Sequence, residues 1–332
     1  MAVTTLDSHS DEILLSFDDI RATVDRLRPW VHQTPVLTSR TLDERTGGKV
    51  YFKCENLQKV GAFKYRGAMN ALLQLNDESR AAGVVTHSSG NHGQALAAAG
   101  RTLGIPVCVV MPHTAPSVKR SAVDGYGARI VLCEPTLAAR EAAVADQIER
   151  HGLHLVHPFN DWRVIAGQAT AAWELIDQVE SLDLILCPIG GGGLAAGTCL
   201  AAKGRNPSIR VVGAEPERAD DARRSMVSGR IEPSNDPRTI ADGLRTSLGT
   251  RTFAVLRRHL DRVVTSSEQA TIEAMRFVWE RLKIVIEPSS AVPVAPVLLG
   301  NLDVRGLRVG IILSGGNVDV APMFDALATQ WL

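Results

Sequence analysis

The chain lacks the charge imbalance that is typical of proteins built to bind nucleic acids or anionic membranes. Its 36 Lys and Arg residues balance 36 Asp and Glu residues, so the formal net charge at pH 7 is +0, and no block of like charge stands out. No apolar run approaches the roughly 20 residues of a membrane helix. The N-terminal segment is acidic where a secretory signal would be basic. These absences favour small-molecule chemistry in the cytoplasm.

The sequence also lacks cysteine pairs at the spacing of metal or redox sites. None of its five cysteines forms a CxxC pair, and each lies in or beside an apolar run. They are Cys54, Cys108, Cys133, Cys187 and Cys199. Such positions predict reduced thiols in a core rather than disulfides or metal ligands.

Apolar runs alternate with amphipathic segments along most of the 332 residues, which predicts an α/β fold with parallel sheets. Runs such as LILC and VGIIL are apolar throughout, as in strands covered on both faces. A capping box at Ser16 and Asp19 begins the first predicted helix. Further strands are predicted at 83–86, 107–111, 129–133, 182–187, 210–214 and 308–313. Further helices are predicted at 91–103, from Pro116, and at 138–150, 164–178, 194–203 and 268–282. The polar residues 218–249 are predicted to form irregular surface.

Four consecutive glycines, Gly190 to Gly193, lie between a predicted strand and a predicted helix. Without Cβ atoms their backbone N–H groups can close around an anion, and the helix N-terminus adds a favourable dipole, so the pattern predicts a phosphate site. A dinucleotide loop is a competing interpretation, because Gly191, Gly193 and Ala196 fit the GxGxxA pattern. Glu215 ends the following strand, where such sites carry an acid. A Walker A loop would lack its lysine, and a tight turn that binds nothing is the structural alternative.

Lys64 lies beside Phe63 and among small residues in the segment KVGAFKYRGA, between a predicted strand and a predicted helix. Partial burial there would lower the pKa of the lysine and make its neutral amine nucleophilic toward an aldehyde. A surface lysine that extends its charge into water is the alternative.

Two further loops follow predicted strands and are rich in polar groups. The segment SSGNHGQ, residues 88–94, opens a helix, so its hydroxyl, amide and backbone donors could bind a carboxylate. An ordinary helix N-cap is the alternative. The segment SGGN, residues 314–317, follows the last predicted strand, at the end of a sheet where α/β proteins bind ligands.

The ordered series of motifs resembles the fold-type II pyridoxal-phosphate enzymes, and within them the serine/threonine dehydratase and serine racemase branch. The resemblance covers nearly the whole chain through KCENLQKVGAFKYRGA, SSGNHGQA, CEPT, IAGQ, GGGG, AEPERADD, TIADG, IEPSSAV and LSGGNVD. It implies two open, twisted, parallel-type sheets in two lobes, with the cofactor in the cleft between them. The larger lobe is expected at 1–83 and 159–332, and the smaller lobe at 84–158.

The resemblance implies a role for several motifs in holding pyridoxal phosphate. Lys64 would bind the cofactor covalently and act as the base at the substrate. Gly190 to Gly193 would hold the phosphate group. Phe63 would flank the ring, Asn91 would hydrogen-bond its phenolic oxygen, and Ser314 would face its nitrogen. A neutral serine at that nitrogen weakens the electron sink compared with an acid, which favours loss of a β leaving group over transamination.

The resemblance also implies a substrate site. The residues expected to bind the substrate carboxylate are Ser88, Ser89, Asn91 and His92. Ser89 would lie on the face opposite Lys64, where racemisation requires a second base. Arg140 matches a substrate-proximal arginine of the serine racemases and could pair with a second carboxylate. Thr246 stands where those racemases carry a serine, and its added methyl group changes the pocket volume.

Glu215, the carbonyl of Ala219 and Asp221 match the divalent-cation site of this family. Two carboxylates and a carbonyl are hard oxygen ligands, suited to Mg²⁺ or Ca²⁺ with waters completing the shell. A surface acidic turn is the alternative interpretation.

The function implied by the resemblance is that of an ammonia-lyase, which converts L-threonine, L-serine or a related 3-hydroxy amino acid to a 2-keto acid and ammonia. Serine racemase and 3-hydroxyaspartate dehydratase are the alternatives within the family. An NAD-dependent oxidoreductase is the alternative outside it, because of the GxGxxA pattern. A homodimer or higher homo-oligomer is also expected from the family.

Overall fold

The structure is a computed structural model that describes residues 15–88, 90–115 and 117–321. Within these residues the strands form two separate sheets. In chain order the strands are β1 (Val36–Thr38), β2 (Lys49–Cys54), β3 (Val84–His87), β4 (Val107–Pro112), β5 (Arg129–Cys133), β6 (His154–Leu155), β7 (Leu184–Pro188), β8 (Arg210–Pro216), β9 (Arg262–Ser266) and β10 (Arg308–Leu313).

The larger sheet has the order β1-β2-β10-β7-β8-β9, and its neighbouring strands are parallel except for β1 and β2. The smaller sheet has the order β5-β4-β3-β6 and is parallel throughout. Buried residues pack on both faces of the larger sheet, which explains why its central strands are apolar along their whole length. The predicted α/β fold with two parallel-type sheets is confirmed. The proposed lobe boundaries at 83/84 and 158/159 stay a prediction.

Helices connect the strands and cover the sheets. They are α1 (Phe17–Leu27), α2 (Arg40–Thr46), α3 (Lys64–Leu73), α4 (Asp77–Ala82), α5 (Asn91–Leu103), α6 (Ser117–Asp124), α7 (Leu137–His151), α8 (Trp162–Gln178), α9 (Gly193–Arg205), α10 (Asp221–Ser228), α11 (Thr250–His259), α12 (Glu268–Leu282), α13 (Pro288–Ala291) and α14 (Ala295–Leu298). No helix in the described part of the chain is long and apolar enough to cross a membrane.

Most of the helices and strands predicted from the sequence begin and end within two residues of the observed ones. The capping box that begins α1 is present, since the side chain of Ser16 accepts from the Asp19 backbone and the Asp19 carboxylate accepts from the Ser16 backbone. The helix predicted to open at Pro116 begins at Ser117, while Pro116 itself lies outside the described residues. All five cysteines are free thiols and four of them are buried, which confirms that prediction.

The prediction of irregular surface for residues 218–249 is wrong in part. The segment contains α10 and a 3-10 turn at Asp242–Leu244, and it buries Asp221 and Ser225. The polar composition hid these elements because polar side chains are buried here, and some of them form hydrogen bonds to the backbone. The carboxylate of Glu215 accepts from the backbone N–H groups at the start of α10, and the Ser225 hydroxyl donates to the Asp221 carbonyl at 2.6 Å.

A buried network of charges ties β2 to α3 and α8. Arg66, in α3, donates to both carboxylate oxygens of Glu55 at 2.7 and 2.8 Å and to both oxygens of Glu174 at 2.7 and 2.8 Å. Lys53 donates to Glu174 at 2.7 Å. The side chains of Arg66, Glu55 and Lys53 are fully buried. Two cations therefore balance two carboxylates in the interior, directly behind the segment that carries Lys64.

Replacing Arg66 by methionine should strongly destabilise the fold. The variant leaves two buried carboxylates with Lys53 as their remaining partner in the network, and breaking a buried pair costs about 3–5 kcal/mol. The free energy of unfolding in urea, followed by circular dichroism, measures this loss. Arg305→Met is the matched control, because Arg305 pairs with Asp303 at the surface and its loss should change stability little. An equal effect of the two variants would contradict the prediction.

Candidate active site

The predicted site residues lie on loops at the carboxyl ends of strands in both sheets. Ser88 and Asn91 follow β3, the glycine loop follows β7, and Ser314 follows β10. The segment that carries Lys64 is joined to the last of these loops, since Ala62 bridges to Gly315 and the Phe63 backbone N–H donates to the Ser314 carbonyl at 3.0 Å. This is the end of an α/β sheet at which ligands bind.

Lys64 is the first residue of α3, and its side chain is half-buried. Its Nζ donates to the carbonyl oxygen of Pro158 at 2.8 Å and lies 5.2 Å from the centre of the Phe63 ring. Burial lowers the pKa of Lys64 to about 8. A carbonyl oxygen stabilises the ammonium less than a carboxylate would, so a substantial fraction of the amine is neutral near pH 8. The surface-lysine interpretation does not fit this environment.

The glycine loop is fully buried and leaves donors unused. The backbone N–H groups of Gly191, Gly192 and Gly193 donate to no backbone or side-chain acceptor among the described residues. Gly192 has φ +86°, and a Cβ atom at Gly191 would lie 2.3 Å from the ring of Phe159. Close packing therefore requires glycine here, and the free donors at the start of α9 suit an anion such as a phosphate.

The dinucleotide interpretation of the same loop needs an acid that is free to bind a ribose. The Glu215 carboxylate already accepts hydrogen bonds from the protein backbone. Its Oε1 accepts from the Ala222 backbone at 2.9 Å and its Oε2 accepts from the Arg223 backbone at 2.9 Å, so both oxygens cap the start of α10. The geometry therefore favours a phosphate cradle over a dinucleotide site.

The start of α5 carries several residues that were predicted to bind a substrate carboxylate. The Ser88 hydroxyl accepts from the Gly90 backbone at 3.3 Å, and Ser89 lies outside the described residues. His92 is buried, with Nε2 3.3 Å from the carbonyl of Val156 and Nδ1 without a partner in the described structure. Burial holds the pKa of His92 well below its ordinary value, so the ring is neutral. A neutral ring donates with one nitrogen only, so when Nε2 donates to the carbonyl, Nδ1 is an acceptor and has no hydrogen for a carboxylate. A carboxylate-binding role for His92 stays a prediction.

Asn91 is held by two residues that sequence reasoning did not assign. Its Nδ2 donates to both carboxylate oxygens of Glu287, at 2.9 and 3.1 Å, and its Oδ1 accepts from Asn317 at 2.9 Å. Glu287 is buried, and burial raises the pKa of its carboxyl group to about 7. The one feature of the sequence that could have indicated Glu287 is its position directly after the apolar run IVI, because an acid at the end of an apolar run is unusual.

Ser314 presents a neutral hydroxyl group rather than an acid. The residue is buried, and its Oγ lies 3.1 Å from the Oγ of Ser290. Ser290 is fixed in turn, because its hydroxyl donates to the Gly315 carbonyl at 2.6 Å. The position predicted to face a ring nitrogen therefore carries no charge.

Two half-buried histidines lie near Lys64. Burial, with smaller contributions from the charges of His87 and Lys64, lowers the pKa of His157 to about 3. Burial and the charge of Arg140 lower the pKa of His87 to about 4. The two rings meet edge to face with centroids 5.5 Å apart. Both are neutral at physiological pH, so the surroundings of the Lys64 amine carry little compensating charge.

Arg140 lies in α7 and is half-buried, and its charge reaches His87. Its guanidinium donates to the Thr136 carbonyl at 3.3 Å and forms no ion pair with the residues described. Thr246, half-buried, lies on the loop before α11, and the structure shows no hydrogen bond from its side chain to the described part of the protein. The Arg140 guanidinium, which has no ion-pair partner among the described residues, thus lies near His87. The substrate-binding roles of Arg140 and Thr246 stay predictions.

An ion pair between Lys119 and Asp242 spans from α6 to the 3-10 turn before α11. No pattern in the sequence linked these two residues. Their charges also affect the pKa of Glu287, so the pair lies near the contact between Glu287 and Asn91.

The predicted metal ligands lie at the end of β8 and the start of α10. Neither oxygen of the buried Asp221 carboxylate has a partner at hydrogen-bond geometry among the described residues, although the Ser234 hydroxyl is near enough to lower the pKa of Asp221. Burial and the negative charge of Asp221 raise the pKa of Glu215 to about 8. Burial also raises the pKa of Asp221, to about 7. No group of three or more His, Cys, Asp or Glu residues that could hold a metal occurs in the described ranges. A cation here would therefore need carbonyl or water ligands besides the two acids.

Comparisons with known proteins agree with this geometry. A family model for pyridoxal-phosphate dependent enzymes matches residues 27–315. The chain is 50% identical to a serine racemase from Dictyostelium discoideum, over 94% of this chain and 98% of that protein. It is 47% identical to a beta-hydroxyaspartate dehydratase from Paracoccus denitrificans, over 92% of this chain and 97% of that protein. A solved structure of a threonine deaminase from T.th. is similar, with a TM-score of 0.87 and 43% identity over 92% of this chain and 99% of that one.

Proposed function

Because the chain belongs to the family of pyridoxal-phosphate dependent enzymes, we propose that it is an ammonia-lyase for small 3-hydroxy amino acids. The products are a 2-keto acid and ammonia, and L-threonine and L-serine are the first substrates to test. The observation that carries the proposal is the desolvated Lys64 amine in the same site as the unpaired donors of the glycine loop. The names of the similar proteins support this chemistry, since they include a threonine deaminase and a hydroxyaspartate dehydratase.

The residues present fit the cofactor. The free N–H groups of Gly191, Gly192 and Gly193 would hold its phosphate group. The Lys64 amine would bind its aldehyde carbon, and Phe63 would flank the ring. Asn91 would donate to the phenolic oxygen with the Nδ2 hydrogen that Glu287 does not use, and Ser314 would face the ring nitrogen.

When bound, pyridoxal phosphate withdraws electrons from the α-carbon of the amino acid and makes its α-proton acidic. The Lys64 Nζ then accepts that proton, which a neutral amine with a pKa near 8 can do at physiological pH. The bond between the β-carbon and the hydroxyl group would break, and the hydroxyl would leave as water by taking up the proton that Lys64 Nζ accepted. The released enamine would then add water, which gives the 2-keto acid and ammonia. The neutral hydroxyl of Ser314 does not hold a proton on the ring nitrogen as an acid would, which favours this elimination over transamination.

Lys64→Ala should abolish both keto-acid release from L-serine or L-threonine and the yellow absorbance of the bound cofactor. The reason is that the variant has lost the amine that holds the aldehyde and accepts the α-proton. Absorbance spectra and a coupled keto-acid assay measure the two losses. Lys49→Ala is the control, because Lys49 is an exposed lysine on β2 and its loss should leave both signals. Normal turnover by Lys64→Ala would refute the proposal.

A second candidate substrate class is favoured by Arg140. Its guanidinium, half-buried and without an ion-pair partner among the described residues, could bind the second carboxylate of 3-hydroxyaspartate. The relative named as a beta-hydroxyaspartate dehydratase supports this choice. A racemase activity is also supported, by the relative named as a serine racemase.

Arg140→Met should discriminate between these substrates. A hydrogen bond to a charged group contributes about 1.5–3 kcal/mol, so kcat/KM for 3-hydroxyaspartate should fall about 10- to 100-fold more than that for L-serine. Steady-state assays with both enantiomers of serine, threonine and 3-hydroxyaspartate measure the ratio, and chiral chromatography of the same mixtures detects D-serine. Equal losses for L-serine and 3-hydroxyaspartate would remove Arg140 as a second-carboxylate site.

We further propose that Glu215, the Ala219 carbonyl and Asp221 hold Mg²⁺ or Ca²⁺ together with waters. The two unpartnered oxygens of the buried Asp221 carboxylate support this proposal, because a buried carboxylate without hydrogen bonds is costly unless it binds a cation.

Asp221→Asn should abolish the stabilisation of the protein by divalent cations. A ligand at a hundredfold its Kd stabilises the native state by about 2.7 kcal/mol, so added MgCl₂ or CaCl₂ should raise the melting temperature of the unmodified chain. Scanning calorimetry of the cofactor-free protein measures the shift. Asp236→Asn, an exposed acid of the same segment, is the control. A shift of equal size in Asp221→Asn would place the cation elsewhere, and no shift in any variant would refute the site.

A further inference from the structure

Glu287, Asn91 and Asn317 form a chain of hydrogen bonds between the two sheets. Asn91 begins α5, which follows β3 of the smaller sheet, whereas Asn317 follows β10 of the larger sheet and Glu287 precedes α13. Asn317 Nδ2 donates to the Val60 carbonyl at 2.8 Å and to Asn91 Oδ1 at 2.9 Å. Asn91 Nδ2 then donates to the Glu287 carboxylate.

Both ends of this chain can only accept hydrogen bonds. The Val60 carbonyl and an ionised Glu287 have no hydrogen to donate, so each amide between them has one satisfactory orientation. Asn317 must direct its NH₂ group toward Val60 and Asn91. Asn91 must then direct its oxygen toward Asn317 and its NH₂ group toward Glu287.

This orientation leaves one donor of Asn91 unused. The two oxygens of one carboxylate lie close together, so a single N–H of Asn91 points between them at 2.9 and 3.1 Å. The second hydrogen on Nδ2 has no acceptor among the residues that the structure describes. An amide turned by 180° would instead present Oδ1 to the carboxylate, and no donor would remain at that position.

The backbone of Glu287 is held in place, and the backbone N–H of Asn317 lies close enough to the Glu287 carboxyl group to lower its pKa. The Glu287 backbone N–H donates to the Gly315 carbonyl at 3.0 Å, and its Oε1 would lie 2.9 Å from a Cβ atom at Gly315, so glycine allows the close approach. The charged groups whose fields reach Glu287 are Asp242 and Lys119, and these two pair with each other. Among the described side chains, Asn91 is therefore the one that hydrogen-bonds the carboxylate, while the nearby charges of Asp242 and Lys119 are opposite in sign.

We propose that Glu287 is a positioning residue, which fixes the Asn91 amide so that its second N–H can donate to the phenolic oxygen of the cofactor. The inference rests on the proposed function, because that function supplies the acceptor. Ionisation of Glu287 is what enforces the orientation. A protonated carboxyl group carries its own O–H donor and allows the amide to turn, so the contact to the cofactor weakens.

The protonation of Glu287 should therefore be visible in cofactor binding. Burial raises its pKa to about 7, so the carboxylate is mostly ionised at pH 8 and mostly protonated at pH 6. Cofactor affinity should accordingly be lost as the pH falls through about 7. If the protonated form binds pyridoxal phosphate about tenfold more weakly than the ionised form, the population-weighted Kd rises about fivefold between pH 8 and pH 6.

The test compares the Kd of pyridoxal phosphate for cofactor-free wild-type protein and for Glu287→Gln, by absorbance titration from pH 6 to 8.5. Glutamine keeps the volume and an acceptor but has no ionised state. The Kd of the variant should be about ninefold higher than that of the wild type at pH 8 and within about twofold of it at pH 6. Other titrating groups, Lys64 among them, affect both proteins alike and cancel in this ratio. Glu273→Gln, an exposed acid on α12, should match the wild type throughout.

A ratio that does not change with pH would overturn the proposal, because a purely structural role of Glu287 weakens binding equally at each pH. Glu287→Asp gives an independent test should the glutamine variant not fold. In this variant the carboxylate is kept but reaches less far, so at pH 8 its Kd should lie between those of the wild type and of Glu287→Ala, and the ratio of the Glu287→Ala Kd to the wild-type Kd should fall from pH 8 to pH 6; a ratio that does not change would refute the inference. Failure of the wild type to bind pyridoxal phosphate would instead refute the proposed function, which separates the two outcomes.

Discussion

The candidate site depends on the burial of Arg66 between two carboxylates. A guanidinium in the interior must be neutralised and its donors satisfied, and the contacts to Glu55 and Glu174 do both. They hold α3 between β2 and α8, so the start of α3 has little freedom. Glycines at the contact allow the helices to approach closely, since a Cβ atom at Gly167 would lie 2.5 Å from the Cα of Gly67. Lys64, two residues before Arg66, is thereby fixed at the Pro158 carbonyl.

The groups next to the Lys64 amine are polar but uncharged, and this sets the pKa of the amine. Burial keeps His87 and His157 neutral, and the acceptor for the lysine amine is a backbone carbonyl. Had a carboxylate occupied that position, it would have stabilised the ammonium and raised the pKa of the lysine. The carboxylates of Glu55 and Glu174 instead pair with Arg66, in the network that holds α3, and neither of them contacts the Lys64 amine.

Signals confined to a few neighbouring residues were enough to predict much of the fold and the outline of the site. The glycine loop, the start of α5 and the loop after β10 each follow an apolar strand, and strand ends converge in a parallel sheet. The contacts that complete the site join distant parts of the chain, since Asn91 and Glu287 are 196 positions apart and Lys119 and Asp242 are 123 positions apart. No local pattern encodes such pairs. Likewise, whether Lys64 is a surface or a buried lysine depends on Pro158, which is 94 residues away.

The same distant contacts explain how ligand binding can be linked to the arrangement of the two sheets. A ligand that reaches both Asn91 and the glycine loop spans from β3 of the smaller sheet to β7 of the larger one. At the site the sheets are connected by polar contacts, namely those of Asn91 with Glu287 and of Lys119 with Asp242. Each such contact has a modest net strength because water can replace either partner. A ligand that bonds to both Asn91 and the glycine loop would therefore add a further connection between the sheets, while the ion network of Arg66 holds α3, which carries Lys64.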